Sequence, residues 1–430
     1  VRNLFHRGSL NLGMRLNIHD FSGHPFQVQL SRELAARGHE VVHGYSTQFV
    51  TGRGRLEVER DDPATLRIEG LACDRPMIKY SPVGRLRFEL AYAAAWRAAL
   101  ERNPADVVVA CNVPMFALDR MRRYFAEAEQ PWVLWHQDLY SLGVGAEMSR
   151  KLPGVLAGTA RGYAERIERA QVAEAHGVVA ITDAMPEQYR RWGVHRPVAV
   201  IPNWAPLDDI APGPRDNPWA RAHDLPDGPL RLMYAGTLGR KHNPLLLLQL
   251  LDAVQARGVD AMLIVASEGV GVNELATAAR GRPDVRLVGY QPAESFGEML
   301  ASADAVIALL EPDAAKFSVP SKVLSYLSAG RPIVGLMPKH NPAAADVAEA
   351  GGFVGTPTAR GIVAASGWLQ QNWSSGRLAA LGTRARTLAE LRFDVSRIAD
   401  RFETVLDGAL VAAGARRPAA RFVLAEGLAS

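Results

Sequence analysis

Short apolar segments rich in β-branched residues alternate with longer helical stretches along the sequence, in two consecutive series. The first series spans residues 16–202 and the second spans residues 230–355, with a stretch rich in proline and aspartate, 205–228, between them. Apolar strands that alternate with helices are typical of parallel sheets covered by helices on both faces. Because 430 residues also exceed the usual size of one domain, we predict an α/β protein with two Rossmann-like domains.

The predicted strands give the domain limits. They are residues 16–20, 40–45, 66–70, 106–111, 132–138, 177–182 and 198–202 in the first series, and 230–235, 261–266, 285–289, 305–310, 332–336 and 353–355 in the second. We therefore predict domains at 14–205 and 206–392, and a C-terminal helix at 393–412 that packs back on the first domain. Residues 1–13 are interpreted as a leader outside the fold and 413–430 as a tail. Ligands of such domains bind beyond the carboxyl ends of the strands.

The amino-acid composition limits the classes of partner that the chain can bind. No apolar run approaches the roughly 20 residues that cross a bilayer, and two cysteines make no disulfide framework, which suggests a reducing cytoplasm. The net charge of +4 rests mainly on arginine and suits anionic partners such as phosphates or lipid head groups. No nucleic-acid-binding motif is present, so we expect no nucleic-acid partner.

The segment His39-Glu40-Val41-Val42-His43 matches the zinc-protease pattern H-E-x-x-H. That chemistry needs both histidines on adjacent turns of a helix. Here the two valines favour a strand, in which positions four apart lie roughly 13 Å from each other. We therefore expect no metal site.

Basic residues stand at the predicted starts of two helices in the second series. Arg240 and Lys241 come shortly before the helix that begins at Asn243-Pro244, and Lys322 lies in the first turn of the helix near Ser321. The partial positive charge of a helix N-terminus disfavours cations unless an anion lies there too. Two such positions after strands of one sheet suit a diphosphate, although exposed basic residues at helix starts are also common.

Three further polar segments directly follow predicted strands. They are Ser267-Glu268-Gly269, Ser22-Gly23-His24 and His136-Gln137-Asp138. Glycine in such a loop permits close approach of the backbone to a ligand. The alternatives are plain tight turns and, for His136, a structural histidine with satisfied hydrogen bonds.

Several of these segments together resemble a known family. They are Tyr234-Ala235-Gly236-Thr237-Leu238-Gly239-Arg240-Lys241, Ser267-Glu268-Gly269, Val288-Gly289-Tyr290, Val319-Pro320-Ser321-Lys322, Ala329-Gly330-Arg331-Pro332 and Val200-Ile201-Pro202-Asn203. The combination resembles the GT4 group of retaining GT-B glycosyltransferases, in particular the branch that builds bacterial surface polysaccharides and glycolipids. The resemblance implies a GT-B fold, that is, two Rossmann-like domains with a ligand cleft between them.

The resemblance also implies roles for the residues singled out above. The expected catalytic residues are His136, Arg240 and Lys241; the expected donor-binding residues are Gly236, Thr237, Ser267, Glu268, Gly269, Tyr290, Ser321, Lys322 and Ser325; and the expected acceptor-side residues are Ser22, Gly23 and His24. The donor would be a nucleotide sugar linked to UDP or GDP. No cofactor and no metal would be needed, because basic side chains and a helix end stabilise the leaving diphosphate.

The sequence departs from the family pattern at three positions. Many members carry two glutamates eight positions apart, where this chain has Phe317 and Ser325, and Thr237 stands where an arginine is usual. Ribose and sugar contacts are therefore not transferred from the family.

We expect a retaining glycosyltransferase that acts on a glycan, a lipid-linked or a small-molecule acceptor. The helical stretch 85–102 mixes apolar residues with arginine, and it either lies on an anionic membrane or covers a domain core. The expected location is the cytoplasm, at or near the inner membrane face. Two other functions stay open: a GT-B-fold sugar-nucleotide epimerase, and a non-catalytic sugar-nucleotide-binding or scaffold protein.

Overall fold

A computed structural model describes residues 13–49, 54–77, 81–142, 154–238, 243–311 and 321–414. The chain divides into two compact units, one formed by Val1–Pro202 with Val395–Ser430 and the other by Asn203–Asp394. Apart from Gly13, Ala413 and Gly414, the predicted leader and the predicted tail lie outside the described residues.

The first unit is built on a seven-stranded parallel sheet in the order β3-β2-β1-β4-β5-β6-β7. Its strands are β1 (Arg15–Asp20), β2 (Glu40–Ser46), β3 (Leu66–Leu71), β4 (Val107–Cys111), β5 (Trp132–His136), β6 (Gly177–Ala180) and β7 (Ala199–Val200). Its helices are α1 (Pro25–Ala36), α2 (Pro82–Arg102), α3 (Met115–Glu127), α4 (Gly154–Glu174), α5 (Ala184–Arg191) and, from the end of the chain, α14 (Val395–Ala412).

The second unit is built on a six-stranded parallel sheet in the order β10-β9-β8-β11-β12-β13. Its strands are β8 (Leu230–Ala235), β9 (Ala261–Ala266), β10 (Val285–Val288), β11 (Ala305–Leu309), β12 (Ile333–Leu336) and β13 (Phe353–Gly355). Its helices are α6 (Pro218–Ala222), α7 (Leu245–Gln255), α8 (Val270–Ala278), α9 (Ala293–Ala301), α10 (Lys322–Ser328), α11 (Pro342–Glu349), α12 (Ala359–Ser374) and α13 (Leu378–Arg392).

The central strands of both sheets are buried along their whole length. Every residue of β4, β5, β8, β9 and β11 is buried, because helices cover both faces of each sheet. On one face of the first sheet, Phe88, Tyr92 and Trp96 of α2 lie one turn apart and are fully buried. The predicted α/β class with two Rossmann-like units is therefore confirmed.

The strand ends differ by a few residues from the prediction. β5 ends at His136 rather than at residue 138, and β6 ends at Ala180 rather than at residue 182. The residues that follow, Gln137-Asp138 after β5 and Ile181-Thr182 after β6, lie outside the strands, at the edge of the sheet where the loops begin.

The C-terminal helix α14 packs within the first unit. Arg37 pairs with Glu403 at 2.7 Å and with Asp400 at 2.6 Å, and the Trp135 and Phe402 rings meet at a centroid distance of 4.7 Å. Helix α14 thus covers the face of the sheet next to β5 and β6.

The histidines of the H-E-x-x-H segment have separate protein partners. His39 precedes β2; its Nδ1 accepts from the Met14 amide at 3.1 Å, and its Nε2 lies 2.9 Å from Glu403. His43 lies within β2, 2.8 Å from the Ser31 hydroxyl, and burial lowers the pKa of His43 to about 3. The segment is a strand, as the valines predict.

Within the described residues, no helix has the length and apolarity needed to cross a membrane.

Candidate functional site

Four segments at one edge of the second sheet carry most of the residues singled out in the sequence. The turn at 236–238 follows β8, the segment 267–269 follows β9, the segment 289–291 follows β10, and α10 lies between β11 and β12. Since all six strands are parallel, these segments lie at the carboxyl edge of the sheet, where Rossmann-like domains bind ligands.

The first two of these segments are locked together by backbone contacts. The Leu238 amide donates to the Ser267 hydroxyl at 3.1 Å and to the Glu268 carbonyl at 3.0 Å, and the Gly271 amide donates to the Leu238 carbonyl at 2.9 Å. Gly269 has φ = +116°, and a Cβ there would come within 2.8 Å of the Leu238 carbonyl oxygen. Only glycine tolerates this combination of conformation and close approach.

Lys322 lies over the turn that follows β8. Its Nζ donates to the Tyr234 hydroxyl at 2.5 Å and lies 4.1 Å from the centroid of the Tyr234 ring. A Cβ on Gly236, which has φ = +129°, would come within 3.3 Å of both Cε and Nζ of Lys322. The sequence-predicted residues Gly236 and Lys322 are therefore direct neighbours.

The ammonium group of Lys322 has no partner of opposite charge in the described parts of the chain. It makes no ion pair with any carboxylate there, and the side chain is half-buried. Removal from water disfavours the charged form, so burial lowers the pKa of Lys322 to about 7. A cation kept partly out of water without a counter-charge is a candidate anion site.

Tyr290 lies in the segment that follows β10, at the same edge of the sheet. Its hydroxyl hydrogen-bonds to the Thr237 hydroxyl, which joins the loop after β10 to the turn after β8. The Tyr290 side chain is 49% exposed, and Glu268, in the segment that follows β9, is also exposed. Both side chains are thus open to a ligand.

Ser321 and Ser325 flank Lys322 on α10. Ser321 is exposed and its side chain makes no capping hydrogen bond, while Ser325 lies one turn beyond Lys322 and is half-buried. Arg240 and Lys241, the predicted catalytic basic pair, lie outside the described residues, as does Phe317. Their roles stay predictions.

The predicted acceptor-side segment lies at the corresponding edge of the first sheet. Gly23 has φ = +69°, and the preceding Asp20 carboxylate accepts from the amides of Ser22 at 3.3 Å and His24 at 2.5 Å. Asp20 also accepts from the Asn112 side chain at 2.8 Å. Burial raises the pKa of Asp20.

Asp20 and Asn112 organise this loop, and sequence reasoning did not single them out. Asp20 is fully buried and Asn112 has the unusual φ of +53° at the end of β4. A carboxylate as the last residue of a predicted strand was the available signal for Asp20.

His136 lies at the end of β5, at the same edge of the first sheet. It is only 5% exposed; Nδ1 lies 2.7 Å from the Tyr189 hydroxyl and Nε2 lies 3.1 Å from Glu168. Both ring nitrogens therefore have protein partners, as in a structural histidine. The predicted catalytic role of His136 is untested by this geometry and stays a prediction.

Glu168 is the third residue that the sequence did not reveal. Besides His136, its carboxylate accepts from the Tyr140 amide at 2.7 Å, from the Ser141 amide at 3.1 Å and from the Ser141 hydroxyl. These bonds hold the pKa of Glu168 below its usual range although burial opposes them. Glu168 thus fixes the segment that follows β5.

Comparisons with known proteins agree with this fold. Sucrose-phosphate synthase from Thermosynechococcus elongatus superposes with a TM-score of 0.65 at 15% identity, covering 93% of this chain and 100% of that one. HepE of Anabaena in complex with UDP-glucose superposes with a TM-score of 0.65 at 16% identity, covering 92% of this chain and 99% of that one. WaaG, a glycosyltransferase involved in lipopolysaccharide biosynthesis, superposes with a TM-score of 0.60 at 17% identity, covering 91% of this chain and 98% of that one. At these identities the likeness establishes the GT-B fold alone.

Sequence comparison identifies the family. No curated protein matches the chain significantly. The model of Glycosyltransferase Family 4 matches residues 26–209, and the model of Glycosyl transferases group 1 matches residues 229–372. The two models together cover more than half of the chain, and each falls almost wholly within one of the two units. The chain therefore belongs to the GT4-type glycosyltransferases of the GT-B fold.

Proposed function

We propose that this glycosyltransferase takes its sugar from a nucleotide-sugar donor bound at the carboxyl edge of the second sheet. The observation that carries the proposal is the Lys322 ammonium, which is half-buried over the Gly236 turn and has no counter-charge in the described parts of the chain. A diphosphate supplies that counter-charge. Arg240 and Lys241, predicted from the sequence, would add further positive charge.

The proposed reaction proceeds with retention of anomeric configuration and without a metal ion. Attack on the same face that the nucleotide leaves asks the protein mainly to hold the reactants and to stabilise charge on the leaving diphosphate. Lys322 can supply that stabilisation as an ammonium group. We propose that Ser267, Glu268, Gly269, Tyr290 and Ser325 contact the nucleotide or the sugar.

The donor that we favour is linked to UDP, with GDP as the alternative. HepE, which shares the fold, has been solved with UDP-glucose. The acceptor is proposed to be a glycan, a lipid-linked or a small molecule that binds the first unit near Ser22, Gly23 and His24, with His136 orienting the sugar or the acceptor. WaaG, which has the same fold, is involved in lipopolysaccharide biosynthesis. This supports the proposal that the chain belongs to the branch of the family that builds bacterial surface polysaccharides and glycolipids.

Thermal unfolding with a panel of nucleotides and sugar nucleotides, in the presence of a chelator, tests the donor site. A ligand at 100 times its dissociation constant stabilises the native state by about 2.7 kcal/mol, so we expect one nucleoside diphosphate to raise the Tm by several degrees. The shift should be absent in Lys241→Ala. Absence of any shift in the wild type, with no sugar transferred to a panel of acceptors, would favour the scaffold function instead.

We further propose that the first unit binds an anionic membrane surface, where a lipid-linked acceptor would be found. Helix α2 buries Phe88, Tyr92 and Trp96, which confirms that it covers a core, yet it also exposes Val83, Leu86 and Leu90. Helix α4 exposes Val155, Leu156 and Tyr163. These six exposed side chains are called the apolar patch.

Helix α3 contacts both of the helices that carry the apolar patch. The Phe116 amide donates to Glu89 of α2 at 2.9 Å, and the Phe116 ring lies 6.4 Å from the Tyr163 ring of α4. Arg87 and Arg166 are exposed beside the patch. An exposed apolar surface flanked by arginine matches the chemistry of an anionic lipid surface.

Replacing Leu86 and Leu90 together by Asp should weaken binding to anionic vesicles about 100-fold, because two leucine side chains no longer leave water. Co-sedimentation with vesicles of anionic and of neutral lipid measures this. The control is Leu391→Asp, which changes a similarly exposed leucine of the second unit. Equal sedimentation of wild type and double variant, or binding that is indifferent to salt, would contradict the membrane proposal.

A further inference from the structure

Tyr234 holds the ammonium of Lys322 in place, and this contact has a chemical feature that distinguishes it from an ordinary lysine contact. A lysine in an ion pair has its charge neutralised by a carboxylate. Lys322 instead donates to a phenol oxygen at 2.5 Å. The phenol orients the ammonium while leaving its charge available to an anion.

The Tyr234 hydroxyl is itself held by the backbone. It donates its proton to the Thr237 carbonyl at 3.0 Å, so the oxygen lone pair is left to accept from Lys322. The side chain is fully buried within β8. Tyr234 therefore fixes Lys322 relative to the turn at 236–238, the segment that approaches the proposed donor.

Phenolic groups act on Tyr234 from two neighbouring elements. Burial raises the pKa of Tyr234, and Tyr326 of α10 and Tyr290, from the loop after β10, raise it further. Tyr234 consequently stays a neutral phenol at physiological pH. In the described parts of the chain, no carboxylate pairs with Lys322.

We propose that Tyr234 is a positioning residue of the donor site, which holds the Lys322 ammonium over Gly236 and presents it to the donor diphosphate. This inference rests on the proposed function, since it assigns to Tyr234 a role in binding the same diphosphate. Tyr234 acts through Lys322 and does not itself touch the donor.

The Tyr234→Phe variant tests the proposal, because it removes the acceptor oxygen and keeps the ring. The chain has six lysines, so NMR of protein labelled at lysine Cε resolves the Lys322 signal, which Lys322→Met assigns. We expect that signal to titrate near pH 7 in the wild type and about one pH unit lower in Tyr234→Phe, because a lost hydrogen bond disfavours the charged form. UDP should bind the variant about tenfold more weakly at pH 7.5.

A merely structural role of Tyr234 would behave differently. It would lower UDP affinity equally in the wild-type and Lys322→Met backgrounds, whereas the positioning role predicts no further loss once Lys322 is absent. Identical Lys322 titration in wild type and Tyr234→Phe would overturn the positioning role. The expected titration shift, with neither UDP nor GDP bound by the wild type, would leave Tyr234 as the anchor of Lys322 and refute the donor assignment. If Tyr234→Phe does not fold, wild type labelled with 3-fluorotyrosine, a weaker acceptor, should shift the Lys322 titration in the same direction.

Discussion

Lys322→Met should lower kcat/KM for sugar transfer by roughly 10²–10³-fold, the usual loss when one group that stabilises transition-state charge is removed. Methionine keeps the length and the apolar stem of the side chain, so the contact with the Tyr234 ring persists while the charge is lost. The measurement is steady-state release of the nucleoside diphosphate with a donor identified by thermal unfolding. We expect the fold and the Tm without ligand to be unchanged or slightly improved, because the variant removes a half-buried cation that has no counter-charge among the described residues.

The matched control is Arg280→Met. Arg280 is exposed after α8, at the opposite, amino-terminal edge of the same sheet, and the variant loses the same unit of charge. Its kcat/KM should stay within a factor of two of the wild type, about the effect of a remote surface change. An equal loss of kcat/KM in both variants would mean that Lys322 acts only through the net charge of the protein, and would contradict its assignment to the donor site.

The pH dependence of donor binding gives the same prediction a second form. Because burial lowers the pKa of free Lys322 to about 7, the ammonium is present below pH 7 and is lost as the pH rises. A bound diphosphate favours the ammonium and raises its pKa, so binding takes up a proton above pH 7 and the affinity falls between pH 7 and pH 9. Lys322→Met should show no such fall in that window.

The strands were the most predictable part of this molecule. β9 is a continuous apolar run and β8 is apolar except for the buried Arg231, and the structure places both strands at the predicted residues. Local composition largely decides such an element, because a strand buried on both faces carries mostly apolar residues. β7 was predicted as five residues and forms two, since an edge strand with one neighbour has little pairing to hold its ends.

Gly236, Ser267 and Gly269 were predicted because they follow strands directly, and Lys322 was predicted because it stands at the start of a helix. Tyr234 was not, because a tyrosine inside an apolar strand has the pattern of a core residue, and its contact with Lys322 joins positions 88 residues apart. Contacts of this range are fixed by sheet order, which the local pattern does not specify.

Glu168 escaped sequence reasoning for a related reason. It lies among Glu165, Arg166 and Arg169, a run with the pattern of a solvent-exposed helix face, yet it is buried. Its burial follows from the position of β5 next to α4, which brings the His136 ring within 3.1 Å. Burial of one charged residue in a mixed helix is a property of the tertiary fold.

Glu168→Ala should lower the free energy of unfolding of the first unit by about 3–5 kcal/mol, the range for removal of one partner from a buried charged network. The Tyr140 and Ser141 amides, the Ser141 hydroxyl and His136 would lose their common acceptor inside the protein. Calorimetry of the full chain measures the change. The control is Glu165→Ala on the same helix, whose exposed pair with Arg161 should contribute about 0.3–0.5 kcal/mol.

The pH dependence of this loss identifies its origin. The pKa of Glu168 is held below its usual range in the folded protein, so its stabilising effect is fully present above the pKa of the unfolded chain, about 4.3. That effect is lost as the pH falls through the lower folded-state pKa. The difference between wild type and Glu168→Ala should therefore be constant from pH 6 to 8 and shrink below pH 4. A difference under 1 kcal/mol at pH 7 would mean that water replaces the carboxylate as the acceptor, and that the segment after β5 is held by its other contacts.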